Sequence, residues 1–408
     1  MFIILDIAYL LAIPFLLIYA FFTRLKGHPA REGLVGRLGF GEYLGEHKKR
    51  VLLHAVSVGE INAIRNLVHE LLNQKYDVVI SVTTDTGLAR AMDLYSSECV
   101  VTRYPIDFSF SVRKFIQRIQ PTIVALVELE VWPNFISRCS KENIPVLIIN
   151  GRLSERSFKR YRFAKIFLKS TFKRLTAIGM QTEKYAYRVR SIGANEVTVQ
   201  GSMKWDNATR NVSKDDSRKL AEDLGISSNI PLIVMGSSAP EEHDLILNCL
   251  PENVQLLCAP RRPEWFDLAA KTFEPCNRRT QKKRVDTRYF LLDTIGELEA
   301  AYELADIVII GRSFAPLHGS DPTSSIALGK PTIIGPNVSD FEEMVRVLVS
   351  GGGLVQCTQD ELPAIIRELI FDSGKRDQMS RNGIATINKQ QGATERYKQL
   401  IIKHTTNA

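Results

Sequence analysis

The sequence predicts an α/β protein of two doubly wound domains in tandem, facing a cleft, behind an N-terminal apolar helix. Three observations predict it. A chain of 408 residues, 45% hydrophobic and 24% charged, has ordinary globular composition but exceeds the roughly 250–300 residues at which one core stops growing. Short β-rich apolar runs alternate with segments of helical period, which is the rhythm of βαβ units. That rhythm pauses in a polar, charge-dense stretch at 207–229 and then resumes.

Residues 2–22 are almost wholly apolar, with Asp6 the only charge, and ~20 such residues suffice to cross a bilayer core. Arg24, Lys26, Arg31 and Arg37 follow, a positive flank that tends to stay on the cytoplasmic side. A cleaved signal peptide is the competing reading, but the run is long, lacks a basic start and has no small-residue cleavage site after it. The expectation is an uncleaved membrane anchor at 1–25 holding the rest on the cytoplasmic side; whether it spans or lies in the interface stays open. Residues 51–56, 78–82, 122–126 and 146–149 read as buried parallel strands, with 60–73 helical between the first two. Residues 232–235, 255–258, 307–310 and 332–334 repeat the pattern. The expected division is a first domain at 26–208, a linker at 209–229 and a second domain at 230–408. Cys99, Cys139, Cys249, Cys258, Cys276 and Cys357 are scattered without a CxxC pair, which argues for reduced thiols and against a disulfide framework or structural metal.

Ligands of open α/β sheets bind beyond the carboxyl ends of the strands, so the loops there are where chemistry is sought. After the first strand, Ser57-Val58-Gly59-Glu60 opens a helix and places a carboxylate at its start. Glu60 is a candidate general base; the alternative is a residue that only complements the helix dipole. After the third strand, Glu128 and Glu130 point to the same side of an extended segment before Trp132-Pro133 starts a helix. Such carboxylates either bind hydroxyls and tune a base, or cap and salt-bridge. Arg152 then introduces Lys159, Arg160, Arg162, Lys165, Lys169, Lys173 and Arg174, interleaved with Phe158, Tyr161, Phe163, Phe167 and Phe172. This reads as one basic amphipathic helix whose natural partner is anionic lipid; a solvated basic face without a ligand is the alternative. A net charge of only +8 speaks against nucleic acid, and none is expected as a partner.

In the second half, Gly236-Ser237-Ser238 ends a strand and its small residues allow a nucleotide close to the backbone. Arg261 and Arg262 follow the next strand and are candidate phosphate ligands. Gly311-Arg312-Ser313 and then the loop through Ser320, Asp321 and Ser324 precede another helix; a plain turn with Asp321 as N-cap is the alternative. No Asp-rich metal site is apparent.

Taken in order, the basic-flanked anchor, HAVSVGE at 54–60, ELEVWPN at 128–134, NGRLSERS at 150–157, GSMKWD at 201–206, APRRPE at 259–264, DTIGEL at 293–298 and ALGKP at 327–331 resemble the Kdo transferases. These are membrane-associated glycosyltransferases that add 3-deoxy-D-manno-octulosonic acid (Kdo) to a lipid A precursor. The resemblance implies a GT-B architecture, with an N-terminal acceptor domain, a C-terminal domain binding CMP-Kdo and a C-terminal helix crossing back to the first domain. It implies inverting, metal-independent transfer with no cofactor beyond the donor. Glu60 matches the catalytic base, with Ser57, Gly59, Glu128, Glu130 and Arg152 on the acceptor side. Lys204, Ser237, Arg261, Arg262, Gly296, Arg312, Ser320, Asp321 and Ser324 fall on the donor side.

The departures cluster in the donor half. HGSDPTS at 318–324 stands where the family has GGHNPLE, so the His, Asn and ribose-holding Glu positions are Ser320, Asp321 and Ser324. Arg312 stands in the family's GGS, Ala239 replaces the His of STHEGE, and Arg262 the His of PRHPE. Two alternatives follow: a related glycosyltransferase with a changed nucleotide-sugar donor, and a membrane-bound binding protein of the same fold that has lost turnover.

Overall fold

The computed structural model describes residue 6 and residues 34–47, 49–208 and 212–405. The chain divides into two compact units, one of residues 1–207 with 391–408 and one of residues 208–390.

The first unit is built on seven parallel strands: β1 (Arg50–Ala55), β2 (Asp77–Val82), β3 (Val100–Arg103), β4 (Ile123–Val127), β5 (Val146–Gly151), β6 (Ala177–Met180) and β7 (Val197–Val199), in the order 3-2-1-4-5-6-7. Val51 pairs with Val78 on one side and Ile123 on the other. Helices cover both faces, so β1, β4 and β5 are buried along their whole length and read as continuous apolar runs. The order reverses between β1 and β4, which puts the loops after those two strands at a topological switch point. The helix Ala393–Thr405 completes this core: Tyr397 is fully buried and its hydroxyl donates to the carbonyls of Gly179 (3.2 Å) and Gly201 (3.0 Å).

The second unit repeats the plan with β8 (Leu232–Ser238), β9 (Gln255–Pro260), β10 (Asn277–Arg278), β11 (Tyr289–Leu291), β12 (Ile307–Ile310), β13 (Thr332–Ile334) and β14 (Val355–Gln356), in the order 10-11-9-8-12-13-14 and again all parallel. Its switch point lies between β8 and β12.

Three expectations are corrected. The segment 209–229 is not a bare linker: it carries the helix Lys214–Leu224, capped by Ser213, which buries Leu220 and Leu224 within the second unit. Its composition is polar because only one narrow stripe faces inward. The chain returns to the first unit at 391, as the resemblance implies for its C-terminal helix, so only the boundary changes and the second unit ends at 390 rather than 408. The basic stretch is not one helix but two, Glu155–Phe163 and Lys165–Phe172, broken at Ala164. Its aromatics therefore part: Phe158 and Tyr161 pack on the core and Phe172 is buried within it, whereas Phe163 and Phe167, with Ile166, are 94%, 77% and 86% exposed.

Apart from Asp6, the apolar run 2–22 and Arg24, Lys26 and Arg31 lie outside the described residues. Asp6 accepts from the Ser109 amide and from Asn134 Nδ2, each at 3.1 Å. Among the described residues no helix is long and apolar enough to cross a membrane. All six cysteines are free thiols.

Candidate active site

In the first unit the chain leaves β1 and turns at Ser57, whose extended backbone and side-chain oxygen cap the helix Val58–Ala63. Glu60, in the first turn, folds back over this cap. Its Oε2 accepts from the Val56 amide at 2.8 Å and its Oε1 from the Ser57 hydroxyl at 2.9 Å. The helix-start reading and the functional one thus describe the same geometry, because the cap fixes the carboxylate at the carboxyl end of the sheet. Burial pushes Glu60 up to about 7, with repulsion from Glu128 and Glu130 adding to it and the Val56 and Ser57 hydrogen bonds opposing. A Cβ at Gly59 would meet only Ser57 Oγ at 3.8 Å, so nothing inside the unit requires glycine there and the face beside Glu60 is open.

The loop after β4 brings the other carboxylates. Glu128 has φ 58°, a left-handed conformation uncommon for a glutamate, and its amide is tied to the Ile149 carbonyl at 2.9 Å. Burial raises Glu130 as well, against the Trp132 indole N–H that donates to it at 3.0 Å. The Tyr161 hydroxyl donates to the Leu129 carbonyl at 3.1 Å, so the basic region supports this loop from behind. Arg152 directly follows β5 and is half-buried. The His54 ring lies in the core, stacked on Tyr104 at 3.7 Å, and burial lowers it to about 3, so it stays neutral and takes no part. Lys204 lies in a short turn between buried Met203 and Trp205, within the first unit.

In the second unit the candidates converge at the switch point. Ser237 and Arg312 both have left-handed φ, 57° and 60°, at the ends of β8 and β12. Glu242 ties these ends together: its carboxylate accepts from the amides of Ala239 (3.0 Å), Arg312 (2.7 Å), Ser313 (2.9 Å) and Phe314 (3.0 Å). Arg312 donates to the Leu317 carbonyl at 2.8 Å, and the Gly319 amide closes the loop on the Arg312 carbonyl at 2.9 Å. Burial, then repulsion from Arg261 and Arg262, lowers Arg312 against the opposing pull of Asp340 and Glu242, and Arg262 pairs with Glu264 at 3.6 Å. Arg262 lies over Trp265 at 5.0 Å. Ser320 is buried and its hydroxyl has no partner among the described residues.

The remaining candidates have internal tasks. Asp321 accepts from the amide and hydroxyl of Thr323, at 2.9 and 2.7 Å, close to the capping alternative. Ser324 Oγ donates to Glu299 at 3.3 Å. Gly296 is exposed with φ 98°. The smallness of Gly236 does not leave room for a ligand: the Tyr302 hydroxyl fills it, 2.0 Å from where a Cβ would sit. His243 does not restore the histidine missing at 239, since its ring is buried with Nε2 3.0 Å from Ser238 Oγ. Sequence reasoning missed Glu242, Tyr302 and Glu299; only Glu242 gave a signal, standing inside the segment that resembles STHEGE.

Residues 32–207 match the family model described as 3-deoxy-D-manno-octulosonic-acid transferase (kdotransferase). The chain is 28% identical to the 3-deoxy-D-manno-octulosonic acid transferase of Haemophilus influenzae over 95% of each protein. It is 27% identical to that of Bordetella pertussis over 85% of each. Among solved structures, a glycosyltransferase from Rickettsia africae superposes with a TM-score of 0.58 at 12% identity, over 90% of this chain and 100% of that one. Anabaena HepE, solved in complex with UDP-glucose, gives 0.57 at 14% identity, over 88% and 100%. These neighbours share the fold, two parallel-sheet α/β domains of GT-B-like glycosyltransferases. The motif order, the matched first unit and the relatives along nearly the whole length agree in supporting the Kdo transferase family.

Proposed function

We propose that this chain is an inverting, metal-independent transferase that moves Kdo from CMP-Kdo onto a lipid A precursor, lipid IVA, in lipopolysaccharide core synthesis. The observation that carries the reading is Glu60, a buried carboxylate raised to about 7 and locked by its own helix cap at the switch point. A base with that affinity for a proton is matched to removing one from a sugar hydroxyl near neutral pH. The acceptor oxygen then bonds to the anomeric carbon of Kdo as the bond from that carbon to the phosphate oxygen of CMP breaks, so a single displacement inverts the centre. Ser57, Glu128, Glu130 and Arg152 border the acceptor, and the open face at Gly59 admits it.

Arg261 and Arg312 neutralise the charge on departing CMP, with Arg262 and Lys204 assisting, and the reaction needs no cofactor beyond the donor. Ser237, Gly296, Ser320, Asp321 and Ser324 line the nucleotide. Residues 1–25 anchor the protein in the inner membrane with both units on the cytoplasmic side. Exposed Phe163, Ile166 and Phe167, among the exposed cations Arg162, Lys165 and Lys169, dock on anionic lipid, where a lipid acceptor is found.

Calorimetric titration with CMP, against UMP, UDP and GDP, tests the donor. Selective CMP binding followed by transfer from CMP-Kdo to lipid IVA is the expected result. Binding of another nucleotide would replace the donor, and binding of none would favour a protein without turnover.

A further inference from the structure

The second unit holds a carboxylate that none of the recognised motifs assigns. Glu299 lies in the first turn of the helix Leu298–Leu304, which follows the loop at the carboxyl end of β11 and so begins on the ligand side of the sheet. It is exposed, and among the described residues it forms no ion pair. Its Oε1 lies 3.3 Å from Ser324 Oγ in the first turn of the next helix, Thr323–Ala327. Tyr302, three residues on and on the same face, places its hydroxyl at Gly236 on the end of β8. That phenol senses Asp321 and Glu299 as negative charges and Arg261 as a positive one, so these groups gather about one point. Close by in the chain, the buried Ser320 hydroxyl has no partner among the described residues, in the loop that Gly319 closes on Arg312.

The cluster therefore offers cations for a phosphate beside a carboxylate and a hydroxyl for a diol. A carboxylate accepting from two neighbouring hydroxyls is strong, charge-assisted recognition. In a nucleoside monophosphate the phosphate and the diol belong to the same ribose. A serine at 324, in place of a second carboxylate, gives Glu299 a hydroxyl donor at 3.3 Å where a further like charge would repel it.

We propose that Glu299 reads the ribose of the donor nucleotide, its carboxylate accepting from the 2′- and 3′-hydroxyls while Ser324 holds it in place. This rests on the reading of the second unit as the nucleotide-binding one. The test is calorimetric titration of the full-length protein with CMP and with 2′-deoxy-CMP. The unaltered protein is expected to bind CMP about ten- to a hundredfold more tightly. Glu299→Gln should lose most of that factor for CMP and weaken 2′-deoxy-CMP, which keeps the 3′-hydroxyl, by less, so that the ratio narrows, and Ser324→Ala should narrow the ratio in the same direction. An unchanged thermal midpoint checks that each variant folds. A ratio kept by Glu299→Gln, or absent in the unaltered protein, overturns the ribose assignment while the nucleotide reading stands. Failure of both nucleotides to bind the unaltered protein overturns the nucleotide reading and this assignment with it.

Discussion

At Glu60 a helix cap and a buried, mutually repelling set of carboxylates act on one side chain in opposite directions. The Val56 amide and Ser57 hydroxyl favour the ionised form, and burial with Glu128 and Glu130 favours the protonated one and prevails. Transfer should therefore rise with pH up to about 7 and level off above it, as measured by kcat/KM across pH. Glu60→Gln should lower kcat by ~10²–10⁴-fold with CMP affinity unchanged; near-normal turnover would remove it as the base. The same shift has a stability consequence of definite sign. The unfolded chain gives up this proton near the ordinary 4.5 and the folded one near 7, so stability falls as pH rises through that window. Urea midpoints of Glu60→Gln against the unaltered protein should converge at pH 4 and separate in favour of the variant at pH 8.

At the scale of elements, much of the second site is backbone held by one side chain. Glu242 joins the β8 and β12 ends through four amides, and glutamine at that position can offer only one acceptor oxygen and would turn an NH₂ group toward donors. Glu242→Gln should destabilise the second unit by about 1.5–3 kcal/mol and weaken CMP binding, read by thermal unfolding and calorimetry. The broken basic helix gives a second prediction at this scale. Deleting 2–22 should leave salt-sensitive binding to anionic vesicles, and adding Phe163→Ser, Ile166→Ser and Phe167→Ser should release the protein, as sedimentation would show. Unchanged pelleting of the combined variant would remove this tip as a docking element. The break at Ala164 was not legible from spacing, because the aromatics continue in helical period through it; inward and outward sets emerge only once the core claims Phe158, Tyr161 and Phe172.

For the whole molecule, the division into units is set by where the chain returns. Residues 391–408 belong to the first unit, and Asp206 fastens that return by accepting from the amides of Gly392 at 2.7 Å and Thr394 at 2.5 Å. Tyr397 then fills the first core. Tyr397→Ala should cost about 3–5 kcal/mol, and Tyr397→Phe about 1 kcal/mol. Calorimetric unfolding is expected to show the loss in the transition of the first unit alone. A shift of both transitions would mean that the units unfold as one.

The sequence by itself determined the two parallel sheets, because strands buried on both faces carry unbroken apolar runs, and β1, β4, β5, β8, β9 and β12 each contain one. It also determined Glu60, Arg261 and Arg312 as candidates, since loops after such strands are where ligands bind. Edge strands such as β3 and β7, and the two-residue β10 and β14, escaped it because partial exposure or brevity erases the pattern. Only the tertiary structure decided that Tyr302 takes the space of Gly236, that Glu242 clamps two strand ends 70 residues apart in the chain, and that Glu299 meets Ser324. These are contacts between elements distant in sequence, and nothing local in the chain records which side chain will arrive to make them.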